Sequence, residues 1–451
     1  MSPSAAIPET APPAPPPEVR GLLALWGRSP ADPLLAIDGR DEMLEFLRAV
    51  HEDDPGQALC AYYRTGREIA ELLLQVLRWR FGASLPERAV LDFASGWGRV
   101  SRFLVPELGA GRLTVSDVLA DAVAFQRRAF GVDGVVSAIR PEDLSLAGTF
   151  DAVLVTSLFT HLPEARFRDW LAALWRRLRP GGVLLFSTHD SALHPAEERR
   201  GRPFLFEAAS ESRSLSLEDY GTTWVDEPFV RAALAQVSPG ASAVRLPRAL
   251  CNFQDLWVVA AESDAGLEGL AVQSEPELMV DRSVVEDGEL ALRGWALARH
   301  GGVAAVEVVA DGEVLARAPV DSPRPDVAAA FGGPFDASGW SCRCRLPGAD
   351  SPEGSRGATI ALRVVDAAGA AHVLRVGTLD SLLAALRRQQ VRVLESDVHG
   401  LQRELTLVRQ ETGVELARLR ARVAAMEASR FWKLRDAWFA VKRALRLTDE
   451  R

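Results

Sequence analysis

Between residues 89 and 261, short apolar runs alternate with longer amphipathic ones, and this alternation restricts the fold more than any other feature. The runs at 89–93, 113–116, 152–156, 183–187 and 256–260 have the length of strands. Helical patterns fill the gaps between them. A chain built this way buries its apolar runs in a parallel sheet and covers that sheet with helices.

A chain of 451 residues exceeds what one such core accommodates, and the texture changes on either side. Residues 1–20 are Pro-rich and read as a disordered tail. Residues 21–84 carry apolar positions at three- and four-residue steps, clearest in the stretch from Arg67 to Leu77, and predict a helical region. The α/β region then occupies 85–263. Over 266–378 the period drops to two, in Glu289-Leu290-Ala291-Leu292-Arg293-Gly294-Trp295-Ala296-Leu297 and again at 306–309. Asp311-Gly312 predicts a hairpin turn into 313–320, and further strands are expected at 340–346, 359–365 and 371–376. No helical pattern interrupts them, so a small antiparallel β-sandwich is predicted.

From 379 to 428 the helical period returns. Leu394, Val398, Leu401, Leu405 and Val408, then Leu416, Leu419, Val423 and Met426 beyond a break around Gly413, predict a coiled coil with a stutter. A single helix packed on the body is the alternative, since Arg403, Glu404, Glu411, Glu415 and Arg418 suit an exposed face. Residues 429–451 place Phe431, Leu434, Trp438, Val441 and Leu445 on one helical face between Lys and Arg residues. Such a helix lies in an anionic membrane interface or docks on a protein surface.

The chemistry concentrates in Val90-Leu91-Asp92-Phe93-Ala94-Ser95-Gly96-Trp97-Gly98-Arg99, a strand running into a glycine-rich turn that opens a helix expected at 100–105. Such a turn lets backbone N–H groups and the helix N-terminus approach a ligand where a Cβ would collide. Nineteen residues beyond Gly98, Asp117 ends the next strand, where an acid can accept both ribose hydroxyls of a nucleoside. A nicotinamide dinucleotide and S-adenosyl-L-methionine both present that ribose. The dinucleotide calls for a third glycine, where this chain has Ser101, and has little use for a carboxylate facing its pyrophosphate. Asp92 suits the cationic amino and sulfonium groups of S-adenosylmethionine, and electrostatics favours that reading.

The same segment resembles motif I of class I S-adenosylmethionine-dependent methyltransferases, with Ala94 in place of the first glycine. Because Ala is small, the loop is expected to keep an allowed backbone. Phe150-Asp151-Ala152-Val153-Leu154-Val155-Thr156-Ser157 resembles the family's fourth strand, and Leu178-Arg179-Pro180-Gly181-Gly182-Val183-Leu184 its turn into the fifth. The resemblance implies a Rossmann-like, seven-stranded, mostly parallel sheet. It implies an acid beside the adenine at Glu142 or Asp143, and a lid over the cofactor from Tyr62-Tyr63-Arg64-Thr65-Gly66, with Tyr63 covering it and Arg64 on its carboxylate. The ending Phe431-Trp432-Lys433-Leu434-Arg435 and the β-region segments at 293–296 and 324–328 are similar to parts of bacterial enzymes of surface-polysaccharide biosynthesis.

A hydroxyl acceptor loses its proton as the methyl arrives, so a base is wanted at the carboxyl edge of the sheet. His161 and His189 each follow a strand there, and His161 equally fits a structural or cofactor-shielding role. Phe204, Phe206, Tyr220 and Trp224, between the fifth and sixth strands, are candidates for an acceptor pocket or for lid packing. No His-Asp-Asn cluster has metal spacing, and no metal is expected. The net charge of −9 argues against nucleic acid, and the four scattered cysteines fit a reducing compartment. With neither a secretory leader nor a membrane span expected, the reading is a cytoplasmic, peripherally membrane-bound homo-oligomer that O-methylates a glycan or lipid-linked saccharide. The alternatives are a non-catalytic cofactor-binding scaffold and a methyltransferase of small natural products.

Overall fold

The computed structural model describes residues 15–52, 54–194, 201–210, 212, 214–261, 266–348 and 358–445, apart from the side chains at 396, 397, 403, 404, 407 and 411. Most of the expected tail and the side chains of Arg403, Glu404 and Glu411 thus lie outside the described residues. The chain forms two units, Met1–Leu383 and Ala384–Arg451.

The first unit opens with helices α1 (Pro17–Leu25), α2 (Glu42–Val50) and α3 (Pro55–Phe81). Helix α1 starts inside the stretch expected to be disordered. Pro17 occupies its first turn, where a missing N–H costs nothing, and Val19, Leu22 and Leu23 are buried. Asp41 caps α2 through the Met43 and Leu44 amides, and Asp54 caps α3 through the Gln57 amide.

The α/β region follows as β1 (Val90–Phe93), α4 (Ser101–Leu108), β2 (Leu113–Asp117), α5 (Ala120–Phe130), β3 (Asp133–Val136), β4 (Phe150–Val155), α6 (Glu164–Trp175) and β5 (Leu178–Asp190). It continues through β6 (Phe204–Glu207), β7 (Thr222–Val225), α7 (Glu227–Val237), β8 (Ser242–Leu250) and β9 (Gln254–Ala260). Strands β3-β2-β1-β4-β5 are parallel, and β9 and then β8 extend the sheet antiparallel. The resemblance implied seven strands in all. The sheet nevertheless has nine strands among the described residues, because the last two residues of β5, His189 and Asp190, pair with β7, which carries β6. The 13-residue β5 outruns its neighbours, and its free end accepts this hairpin. Chain order reverses at β1, between β2 and β4, which opens a crevice at the carboxyl ends of the strands.

The second part of this unit contains β10 (Glu277–Glu286), β11 (Glu289–Leu297), β12 (Val303–Ala310), β13 (Glu313–Pro319), α8 (Pro325–Phe331), β14 (Gly339–Arg345), β15 (Thr359–Asp366) and β16 (Ala371–Thr378). Two antiparallel sheets result, β10-β11-β14 and β13-β12-β15-β16. The Asp311-Gly312 turn has φ of 46° and 92°, the backbone that a two-residue hairpin demands. Helix α8 interrupts the strands where none was expected. Strand β10 escaped the pattern because a register shift between Val280 and Arg282 breaks its alternation.

The sandwich shares its core with the N-terminal helices. Leu22 and Leu23 of α1 and Leu72 of α3 join Val373 and Val376 of β16 in one buried cluster, and Gln57 Nε2 donates to the Val376 carbonyl at 3.0 Å.

The second unit is helical. Helix α9 (Leu379–Ala428) passes through Gly413 without the expected break, since one interior glycine costs only about 1 kcal/mol in so long a helix. At 100° per residue Leu394, Val398, Leu401, Leu405, Val408, Leu416, Leu419, Val423 and Met426 fall within an arc of about 80°, so a straight helix absorbs the supposed stutter. That stripe is exposed. Ser429 then caps α10 (Arg430–Ala444) through the Trp432 amide. Among the described residues no helix is long and apolar enough to cross a membrane.

The shared core yields a test. A Cβ at Gly21 would stand 2.3 Å from Thr359 Cγ2 and 3.3 Å from Val376 Cγ2. Gly21→Val should therefore push α1 off the sandwich and cost about 1–3 kcal/mol, read as a lowered Tm. An unchanged Tm would mean that α1 contributes nothing to the sandwich.

Candidate functional site

The turn after β1 is held from three directions. Ala94, Gly96 and Gly98 have φ of 58°, 55° and 78°. At Ala94 the backbone lies in the small left-handed allowed region. Alanine tolerates it at a cost of about 1–2 kcal/mol. At Gly96 a Cβ would meet nothing within 4 Å, so glycine there serves the backbone angle and keeps the wall open. At Gly98 a Cβ would lie 2.4 Å from Phe130 Cε2; this glycine packs the turn on α5 rather than on a ligand.

Gln126, buried in α5, donates from Nε2 to Ser95 Oγ and to the Gly96 carbonyl, both at 2.8 Å. Nothing in the motif announced it. An amide on the buried face of an amphipathic helix was the available signal.

Two acids flank the turn. Asp117 Oδ2 accepts the Gly96 N–H at 2.8 Å and Oδ1 accepts the Leu119 N–H at 2.9 Å. Burial raises its pKa even against those bonds. Asp92, 1% exposed, lies behind the turn, and its Oδ2 accepts the Ser101 hydroxyl at 2.6 Å. Burial pushes Asp92 up to about 7, a shift that Ser101 opposes and the Asp117 charge reinforces. Ser101, marked in the sequence only as a missing glycine, is thus the partner of the first acid.

A cavity of about 220 Å³ opens beside the turn, with Gly96 and Asp117 on one wall and Ile139, Trp170 and Tyr220 on others. Helix α2 closes one side with Asp41 and Glu42. The Glu42 carboxylate accepts the Ser212 hydroxyl at 2.9 Å and the Ser214 hydroxyl at 2.6 Å, which straps the segment preceding β7 across the opening.

The remaining sequence candidates fall elsewhere. Tyr63 is buried within α3 and donates its hydroxyl to the Leu35 carbonyl at 2.7 Å; it covers the helix junction and not the cavity. Arg64, on the same helix, pairs with Glu275 and with Glu68, so its charge is neutralised at the foot of the sandwich. Arg99 takes the place expected of Arg64 on the cavity wall. Glu142 and Asp143 occupy a short turn and do not line the cavity; residues Ser137, Ala138 and Ile139 form that wall instead. Of the four aromatics, only Tyr220 lines the cavity. Phe204 packs on Phe167 and Phe229, and Trp224 on His189 and His194.

His161 and His189 are close neighbours, with ring centroids 6.4 Å apart, but neither lines the cavity. His161 Nδ1 donates to the Gly221 carbonyl at 2.7 Å, and the ring stacks on Tyr220 at 4.4 Å. Burial pulls His189 down to about 4, and the His161 neighbour acts in the same direction. Gln254 connects His189 to the cavity: its amide lies 3.5 Å from His189 Nε2 and 3.1 Å from the hydroxyl of Ser157, a wall residue. Among the described residues no group of three or more His, Cys, Asp or Glu could hold a metal.

Asp92 generates a pH test. Its carboxyl titrates near 7 in the folded chain and near the usual 3.8 unfolded. The folded state therefore holds the proton more tightly, and stability falls as pH rises from about 4 to 7 and levels off above. Between pH 5 and pH 8, Asp92→Asn should lose on the order of 1–4 kcal/mol less stability than the native chain, read from urea midpoints. Parallel losses in both proteins would place the titration elsewhere.

Residues 90–182 match the family described as a methyltransferase domain. No curated protein matches the chain. Among solved structures, it is similar to an S-adenosylmethionine-dependent methyltransferase from Clostridium acetobutylicum ATCC 824, with 12% identity, 43% of this chain and 90% of that one covered, and a TM-score of 0.32. It is similar as well to the glycopeptide N-methyltransferase MtfA, at 17% identity with 43% and 89% covered and a TM-score of 0.31. For CalS10, an amino pentose methyltransferase from Micromonospora echinaspora, the identity is 18%, the coverage 45% and 95%, and the TM-score 0.32. The family match is what carries the assignment: this chain contains a methyltransferase domain on a Rossmann-like sheet, with the glycine turn and both acids inside the matched residues.

Proposed function

We propose that this chain is a class I methyltransferase that uses S-adenosyl-L-methionine to O-methylate a glycan or lipid-linked saccharide in surface-polysaccharide biosynthesis, at a cytoplasmic site. The observation that carries the cofactor is a glycine turn and Asp117 on the wall of one cavity, with the buried Asp92 on the strand that leads into that turn. Asp117 stands on the cavity wall, where its carboxylate can accept from ribose hydroxyls. Asp92 is costly as a buried anion, and a cation at the turn offsets that cost. The cofactor supplies a methyl group already made electrophilic by its sulfonium.

What the protein adds is alignment. Ser216, Asp219 and Tyr220, on the segment strapped to Glu42, bring hydroxyl, carboxylate and ring to the cavity, the groups that hydrogen-bond and stack on a sugar. The two histidines are the candidate bases for a hydroxyl acceptor. His189 is uncharged at neutral pH, and the Gly221 carbonyl holds His161 as the Nδ1–H tautomer. A second reading, in which alignment alone suffices, is favoured by the absence of either ring from the cavity wall. The exposed stripe of α9 supports self-association of the chain, which light scattering would register as a multiple of 48.9 kDa.

Asp117→Ala should weaken S-adenosylmethionine binding by about 1–3 kcal/mol in calorimetry, the value of hydrogen bonds to a charged acceptor. Unchanged affinity in a folded variant would remove Asp117 from the ribose. His161→Ala or His189→Ala should cut turnover about 100-fold or more with cofactor affinity intact, if that residue is the base. Near-normal turnover in both would leave alignment as the mechanism. Incubation with labelled S-adenosylmethionine and fractionated surface polysaccharide tests the acceptor; label that enters only amines or free small molecules would overturn the saccharide assignment.

A further inference from the structure

Helix α10 carries two features that bear on nothing in the cavity. At 100° per residue, Phe431, Leu434, Trp438, Val441 and Leu445 fall within an arc of about 80°. All five are exposed, Phe431 by 77% and Leu434 by 71%. The helix also holds five basic residues, Arg430, Lys433, Arg435, Lys442 and Arg443, against one acid, Asp436, in a chain whose net charge is −9. Lys433 and Arg430 border one side of the apolar arc; Lys442 and Arg435 border the other. Lys442 Nζ stands 5.6 Å from the Trp438 ring centre, and the Arg435 guanidinium 3.6 Å from that of Trp432.

We propose that α10 docks the chain on an anionic phospholipid surface, lying in the headgroup plane with the apolar arc inserted and the basic rows on lipid phosphates. Its 15 residues are too few to span a bilayer, which needs about 20. A narrow apolar arc bordered on both sides by cations is the profile of a helix that lies in the interface. Charge chooses the occupant. Pairing the arc with that of a second copy brings two basic rows together, whereas an acidic leaflet attracts each cation near it. Long basic side chains reach outward to phosphates while their stems cover the edge of the arc, and Trp438 suits the boundary between headgroup and acyl chain.

The experiment uses the full chain with vesicles of phosphatidylcholine alone or mixed with phosphatidylglycerol, at low and high salt, scored by co-sedimentation. Binding should require the anionic lipid and weaken with salt. The triple variant Lys433→Gln, Arg435→Gln, Lys442→Gln should lower partitioning on the order of 100-fold, at roughly tenfold or less per charge. The pair Leu434→Gln, Trp438→Gln keeps the charge and should also lose binding. Equal binding to neutral vesicles, no vesicle binding, or a fall in molar mass caused by the Leu434 and Trp438 changes would each overturn the proposal, the last in favour of a second copy. Cofactor affinity measured on the same variants keeps this outcome separate from the methyltransferase reading.

Discussion

The hydrogen bond from the Gly96 amide to the Asp117 carboxylate joins two strand ends 21 residues apart in the chain, and the site is built around it. It draws the turn after β1 against the end of β2. Ser95 adds a second link, its amide donating to the Ser116 carbonyl at 3.1 Å. Gln126 then anchors the same turn from below. With its loop groups paired in this way, the turn can hold left-handed backbone even at an alanine. Rigid placement of one wall is what a reaction governed by alignment needs.

Electrostatics divides the two acids between tasks. Asp117 is at the cavity, with backbone donors from Gly96, Val118 and Leu119 that favour its charged form, so it can serve as a fixed acceptor. Asp92 has a single hydroxyl donor and lies behind the turn, poised between its two protonation states near neutral pH. A positively charged ligand shifts that balance towards the anion, which couples binding to proton release. The histidines lie one layer further out, connected to the wall through Gln254, Ser157 and Tyr220. They can influence the cavity through those neighbours without standing in it.

The cavity also depends on parts of the chain remote from the motif. Helix α2 reaches the opening because Asp41 and Asp54 start α2 and α3 at the right places. Its Glu42 then receives a segment lying 170 residues later in the chain. The hairpin of β6 and β7 is held by the segment between β4 and α6: the Gly221 amide donates to the His161 carbonyl, the Thr223 amide to that of Thr160, and the Thr223 hydroxyl to that of Leu162. His161 therefore has a clear structural role in docking this hairpin beside the cavity.

The local chemistry of the chain was sufficient for much of this. Apolar runs buried on both faces must pair in a covered sheet, so the central strands, the glycine turn, Asp92 and Asp117 were legible from spacing alone. The Asp311-Gly312 hairpin was legible for the same reason, since a turn depends on only a few adjacent residues. What depends on distant residues was not. Tyr63 and Arg64 match a motif in order, but α3 turns them towards Leu35 and Glu275, and Arg99 from the turn occupies the wall. Glu142 and Asp143 have suitable chemistry, but the residues just before them, Ser137, Ala138 and Ile139, line the cavity and the acids do not. Glu42 and the hairpin paired with the end of β5 carry no local signature, and Gln126 only that of a buried amide on an amphipathic helix, because each acquires its role only when packing brings in a partner from far along the chain. The sequence by itself determined which groups could bind and react; tertiary structure decided which of them share a cavity, because burial and long-range hydrogen bonds orient a side chain more strongly than its immediate neighbours do.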